Sequence, residues 1–204
     1  MNTFIGKYSS MNIAILILAA GSSSRMKTPK QLLRIGNNTL LGVTVEHALK
    51  SKAQKVFCVL GANSEKIKPS LTKYDIEIIL NSNHKKGLST SITKGIACTL
   101  PYSYNAVLIM LADQPNADSK YINALIDASV KHPKKIIASK YQETYGVPAI
   151  FPREFYGGLL QLKGDKGAKT LLNSNLDNIT GIEANPILCD IDTQEDYLNY
   201  LKQR

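Results

Sequence analysis

Four charged side chains, spread across the whole sequence, have the types and settings needed for phosphate chemistry: Arg25, Lys30, Asp113 and an acid from the pair Asp190 and Asp192. Arg25 and Lys30 follow a turn of small residues, Gly21-Ser22-Ser23-Ser24, which itself follows an apolar run over 13–20. Such a turn can point several backbone N–H groups into one concavity, and a concavity of that kind binds anions. Long cationic side chains beside it suit a polyphosphate better than a single carboxylate. The charge distribution agrees: no Asp or Glu precedes Glu46, whereas Lys7, Arg25, Lys27, Lys30 and Arg34 all fall in that span. Asp113 stands just past a second apolar run, in Leu-Ala-Asp-Gln-Pro. A hard divalent cation such as Mg²⁺ takes one or two carboxylates together with substrate phosphates and water. Asp113 is the candidate first carboxylate, although an Asp there also reads as a strand end or turn cap, and the 190–192 acids as a solvated strand end. Asp190-Ile191-Asp192 offers the second, because a period of two sets both acids on one face of an extended segment. Asp192, next to a helix start at Thr193, is favoured, with Asp190 as the alternative.

Several familiar chemistries lack their residues. Neither G-x-x-x-x-G-K-[ST] nor G-x-G-x-x-G occurs, so the common phosphate and dinucleotide loops are excluded. Cys58, Cys98 and Cys189 are scattered in apolar settings without C-x-x-C spacing, which argues against zinc or a disulfide framework and for a reducing compartment, the cytoplasm. His47, His84 and His132 are assigned to structure or solvent. A net charge of +9 with no continuous basic stripe favours small anionic ligands over nucleic acid.

The elements that must position these residues follow from hydrophobic patterning. Apolar runs at 13–19, 56–60, 76–80, 106–111 and 136–139 read as strands buried on both faces. Between them, 40–50, 89–100 and 119–131 read as helices, with Asp118 and Thr193 as N-caps and Thr193-x-x-Asp196 as a capping box. Alternating strands and helices predict a single-domain α/β fold, a mostly parallel central sheet with helices on both faces. Ligands of such sheets sit beyond the carboxyl ends of the strands. The turn at 20–30 and Asp113 should therefore share one edge. Residues 11–204 are expected to form the domain, with 1–10 a loose extension and Met11 an alternative start. The leading apolar stretch is expected not to be a cleaved signal, because cleavage would remove the first core strand. No apolar run is long enough to cross a membrane.

Leu18-Ala19-Ala20-Gly21-Ser22-Ser23-Ser24-Arg25-Met26 followed by Pro29-Lys30-Gln31-Leu32-Leu33 resembles the signature loop of the nucleotidyltransferases that act on molybdenum cofactor, the cytidylyltransferase and guanylyltransferase-like family. Gly87-Leu88-Ser89-Thr90-Ser91, Leu111-Ala112-Asp113-Gln114-Pro115, Gly146-Val147-Pro148-Ala149-Ile150-Phe151, Gly164-Asp165-Lys166-Gly167-Ala168-Lys169 and the segment from Asp190 to Asp196 follow in the family's order. The resemblance implies a Rossmann-like nucleotidyltransferase fold of GT-A type. It also implies transfer of CMP from CTP to the terminal phosphate of a molybdopterin-type acceptor, with release of pyrophosphate and Mg²⁺, or Mn²⁺, on Asp113 and Asp192. Arg25 would hold the β- and γ-phosphates and Lys30 the α-phosphoryl oxygens. Ala19, Ala20, Gly21, Ser22, Ser23 and Ser24 would line the nucleotide site, with Gly87, Ser89 and Ser91 facing the base, although Ser89 is also a common N-cap residue. Ala20 favours CTP, since guanylyl-transferring relatives commonly carry Gly there. Gly146, Val147, Pro148, Lys166 and Gly167 would face the acceptor, with 146–151 as the acceptor-side strand, although the glycine-rich 164–169 segment also reads as a turn between two helices.

Three departures from the family pattern stand out: Lys27 in place of Gly, Val147 in place of a polar residue, and Gln194 in place of Pro. The rival readings are GTP as donor, a sugar phosphate as acceptor, or a cofactor-carrying chaperone without a chemical step. A monomer that hands its product to a client molybdoenzyme is the expected state.

Overall fold

The computed structural model describes residues 11–22, 26, 28–184, 188 and 190–203. In chain order the strands are β1 (Ile13–Ala19), β2 (Arg34–Ile35), β3 (Asn38–Thr39), β4 (Lys55–Leu60), β5 (Glu77–Leu80), β6 (Ala106–Leu111), β7 (Ile136–Tyr141), β8 (Thr144–Pro152) and β9 (Ile179–Glu183). The helices are α1 (Leu40–Leu49), α2 (Ser64–Ile67), α3 (Ser89–Thr99), α4 (Ser119–Lys131), α5 (Tyr156–Leu160), α6 (Ala168–Asn173) and α7 (Gln194–Lys202). Seven strands form one sheet in the order β5-β4-β1-β6-β8-β7-β9, and β2 pairs with β3 in a separate short ribbon. The pairs β5–β4, β4–β1, β1–β6 and β7–β9 are parallel. Only β8 runs against both its neighbours.

β1 shows why the sheet is covered on both sides. Ile13, Ile15, Ile17 and Ala19 pack on one face with Leu41 and Val45 of α1 and Ile122, Leu125 and Ile126 of α4. Ala14, Leu16 and Leu18 pack on the other with Ile92 and Ile96 of α3, Leu159 of α5 and Leu172 of α6. Every residue of the strand is buried, so a helix-covered central position satisfies it where a one-sided sheet would not. Each large aliphatic side chain so buried contributes about 1.5–3 kcal/mol relative to exposure. α3 comes close to β1 because Gly95 has no side chain: a Cβ there would lie 2.4 Å from Leu16 Cδ2.

The caps read from the sequence are present. Asp118 accepts from Tyr121 N at 2.8 Å, and Thr193 and Asp196 form the reciprocal capping box of α7. Among the described residues, no helix is long and apolar enough to cross a membrane. The structure adds four strands to those read from patterning: the short β2 and β3, β9, and β8, which contains the 146–151 segment that the resemblance implied to be a strand. β8 enters antiparallel, so the parallel order stops at β6.

Candidate active site

β1 and β6 lie side by side in parallel register, Leu18 opposite Leu111, so the chain leaves both strands at one edge of the sheet. Ala112 N donates to Leu18 O at 3.1 Å, carrying the pairing one step into the loops. The loop after β1 returns through a short helical turn at Lys30–Leu32. There the buried Gln31 amide donates to Ala19 O and Gly21 O, both at 3.0 Å, and folds the turn back over the strand end. Lys30 is thereby aimed at Asp113. Its Nζ donates to Asp113 Oδ2 and, at 2.8 Å, to Asp192 Oδ1. Asp113 Oδ1 is enclosed and has no hydrogen-bond partner among the described residues.

The 190–192 segment reaches this edge because Ile191 N donates to Asp113 O at 2.9 Å and the Ile191 side chain is buried with Ile35, Leu40 and Val43. Its two acids take different partners. Asp192 meets Lys30, while Asp190 accepts from Gln114 Nε2 at 2.9 Å. Burial alone would lower the Lys30 pKa, but Asp113, assisted by Asp192, more than offsets it and holds the ammonium above its ordinary value. Burial, then the Asp113 charge, pushes the Asp190 carboxyl up against the opposing Gln114 hydrogen bond.

A cleft of about 840 Å³ opens over this cluster. Ala19, Ala20, Gly21 and Ser22 form one wall, and Gly87, Leu88 and Ser91 another. Ser91 Oγ accepts from Asn81 Nδ2 at 3.0 Å, and the neighbouring Thr90 hydroxyl donates to Gly87 O at 2.8 Å. Leu88, not Ser89, takes the N-cap position of α3. Ser89 is buried, and its N–H donates to Gly164 O at 3.1 Å. The 164–165 backbone sits so close to Gly87 that a Cβ there would lie 2.3 Å from Gly164 C and O, and Gly87 has φ +107°. Asp165 consequently lines the same cleft.

A second cavity of about 530 Å³ adjoins the first, and Leu18, Leu88 and Leu111 line both. Gly146, Val147, Gly167 and Lys169 lie on its walls with Gln114, Tyr141 and Asp190. Val147 O accepts from Tyr141 Oη at 2.6 Å, and the buried Pro148, joined to Val147 by a cis peptide bond, takes the Ser139 hydroxyl on its carbonyl at 2.7 Å. Lys166 lines a separate hollow with Lys163 and Thr170. Ser23, Ser24, Arg25 and Lys27 lie outside the described residues.

Sequence reasoning passed over Gln31, Gln114 and Asp165, and it set aside His84, which lines the cleft with Lys85. Gln31 and Gln114 had one signal, an amide directly beside a charged candidate in an otherwise apolar stretch. Among the described residues, no three His, Cys, Asp or Glu side chains gather as a complete metal cluster. The donor set nevertheless fits a cation that keeps phosphate and water ligands. Two carboxylates converge on one positive charge, and one of their oxygens is enclosed without a partner among the described residues.

Known proteins resemble this chain in sequence and fold. The chain is 26% identical over 194 residues to the purine catabolism protein PucB of Bacillus subtilis strain 168, covering 89% of this chain and 92% of that protein. The crystal structure of Rv0371c from Mycobacterium tuberculosis H37Rv superimposes with a TM-score of 0.85 at 27% identity, covering 95% of this chain and 99% of that one. The same protein in complex with manganese gives a TM-score of 0.80 at 26% identity, over 95% and 100% of the two chains. Residues 15–179 match the MobA-like NTP transferase domain, and the chain belongs to that family of nucleotidyltransferases.

Proposed function

We propose that the protein transfers CMP from CTP to the terminal phosphate of a molybdopterin-type acceptor. An acceptor phosphate oxygen attacks the α-phosphorus, the α–β phosphoanhydride bond breaks, and pyrophosphate leaves. The observation that carries the reading is the Lys30 ammonium held between Asp113 and Asp192 beneath a cleft of nucleotide size. A phosphate monoester has its second pKa near about 6, so the nucleophile is ionised at neutral pH and no general base is needed. Catalysis then rests on in-line positioning and charge stabilisation.

Asp113 and Asp192 are the residues that would hold Mg²⁺ or Mn²⁺, which when bound screens the repulsion between two anionic reactants. Lys30, released from the two carboxylates, neutralises the α-phosphoryl oxygens. Arg25 holds the β- and γ-phosphates, a role supported by its place in the loop sequence. Ala20 lines the cleft, and its standing where guanylyl-transferring relatives commonly carry Gly supports CTP over GTP. The adjoining cavity takes the remainder of the acceptor, with Val147 contributing apolar contact.

The test supplies purified protein with molybdenum cofactor, Mg²⁺ and each of the four ribonucleoside triphosphates, and identifies the pterin product by mass. The expected product is the cytosine dinucleotide from the wild type and none from Asp113→Ala. Wild-type yield from Asp113→Ala would refute the metal assignment. Tight CTP binding without product from any nucleotide would refute the transferase reading in favour of a carrier.

A further inference from the structure

The second cavity contains a carboxylate that the transfer step does not use. Its walls are mainly apolar and aromatic, with Ile92, Ile109, Val147 and Leu188 beside Tyr145, and Asp190 stands among them. Gln114, only 4% exposed, donates to Asp190 at 2.9 Å. The same amide reaches Val147 O at 3.4 Å and Tyr141 Oη at 3.5 Å, so the carboxylate is held from the protein side. Lys169 lines the cavity too, but among the described residues no cation forms an ion pair with Asp190. Asp190 as a residue is exposed, so Gln114 holds the carboxylate from the protein side while its remaining acceptor capacity is open to a ligand in the cavity.

We propose that Asp190, held by Gln114, reads a paired N–H edge on the ring system of the acceptor, an amino group beside a ring N–H; this rests on the acceptor reading above. Two carboxylate oxygens match two parallel donors, an arrangement both stronger and more directional than a single neutral bond. The same carboxylate repels the acceptor's phosphate. It therefore also orients the molecule, ring toward Asp190 and phosphate toward Lys30. Gln114 is a positioning residue in this scheme. Asp190 is thereby assigned to the acceptor, leaving Asp113 and Asp192 as the metal pair.

The test uses the full chain with Mg²⁺ and α,β-methylene-CTP, and titrates 6-hydroxymethylpterin against 6-hydroxymethyllumazine by ring fluorescence. The two differ in the ring amino group, which is a carbonyl in the lumazine. The wild type is expected to bind the pterin about tenfold tighter or more, the size of a lost hydrogen bond to a charged group. Asp190→Asn should erase that preference, and Gln114→Ala should reduce it, while affinity for the CTP analogue reports an intact cleft. Asp190→Ser gives the same comparison if the Asn variant folds poorly. Equal binding of both rings, or a preference that survives Asp190→Asn, would overturn this inference alone. Binding of neither ring would overturn the acceptor reading and this inference with it.

Discussion

Replacing Lys30 by Met keeps the length of the side chain and removes the charge that holds Asp113 and Asp192 together. Lys30 and Asp113 side chains are 17% and 13% exposed, and Asp192 is 48% exposed. The Asp192 contact is therefore close to a surface pair, worth about 0–1 kcal/mol. The Asp113 contact is nearer the buried limit, where removing one partner costs about 3–5 kcal/mol because the other charge is left uncompensated. Residual exposure of both groups brings the expected loss to about 2–3 kcal/mol. For a domain of this size, that is a fall in Tm of about 4–12 °C. If the carboxylates form a cation site, Mn²⁺ should restore the positive charge that the neutral thioether side chain lacks. At a concentration 100 times its Kd, an ion bound only by the folded state adds about 2.7 kcal/mol.

Thermal unfolding of wild type and Lys30→Met, with and without Mn²⁺, measures both quantities. A titration of free Mn²⁺ by electron paramagnetic resonance gives the affinity directly. The variant is expected to be less stable without metal, to gain more from Mn²⁺ than the wild type, and to bind Mn²⁺ more tightly without nucleotide. Adding Asp113→Asn to Lys30→Met should recover part of the lost stability, since it removes the uncompensated charge. An unchanged Tm, together with equal Mn²⁺ stabilisation of both proteins, would refute the reasoning.

Gly87→Ala should lower stability by about 1–3 kcal/mol from backbone strain alone, because its φ of +107° is a region reserved for glycine. The added Cβ also meets Gly164 backbone at 2.3 Å, so nucleotide affinity should fall as the 164–165 wall is pushed away; thermal melts and CTP titration check both, and wild-type values for either would contradict the packing. Burial pushes the Cys58 thiol up to about 12, so a thiol reagent should modify it only after unfolding. The unfolded thiol ionises from its ordinary value of 9.0 while the folded one stays protonated. Stability should then fall with rising pH above about 9, by about 1.4 kcal/mol per unit from this group. Denaturant melts of Cys58→Ala against wild type isolate that slope, because the cavity left by the substitution does not vary with pH.

The bounds of β1 and β6 were legible to the residue because both strands are covered on both faces, so their apolar runs stop where the sheet stops. Patterning did not mark β8, although the resemblance implied a strand over 146–151. The strand starts exposed at Thr144, contains Gly146 and Pro148, and only later becomes buried, so no alternation or continuous run marks it. The meeting of Lys30 with Asp113 was legible for a topological reason: loops that follow adjacent parallel strands emerge at one edge. The partition of Asp190 from Asp192 was not. A period of two describes side chains on a paired strand, whereas this segment is fixed by one backbone bond to Asp113 O and by the buried Ile191 side chain. Its acids are then free to turn toward whichever group lies nearest. Those nearest groups, Gln114 and Lys30, come from sites 76 and 162 residues away in the chain. Local pattern carries no trace of such distances. The polar side chains of this site are accordingly the ones a sequence reads least well, because their partners are chosen by the fold.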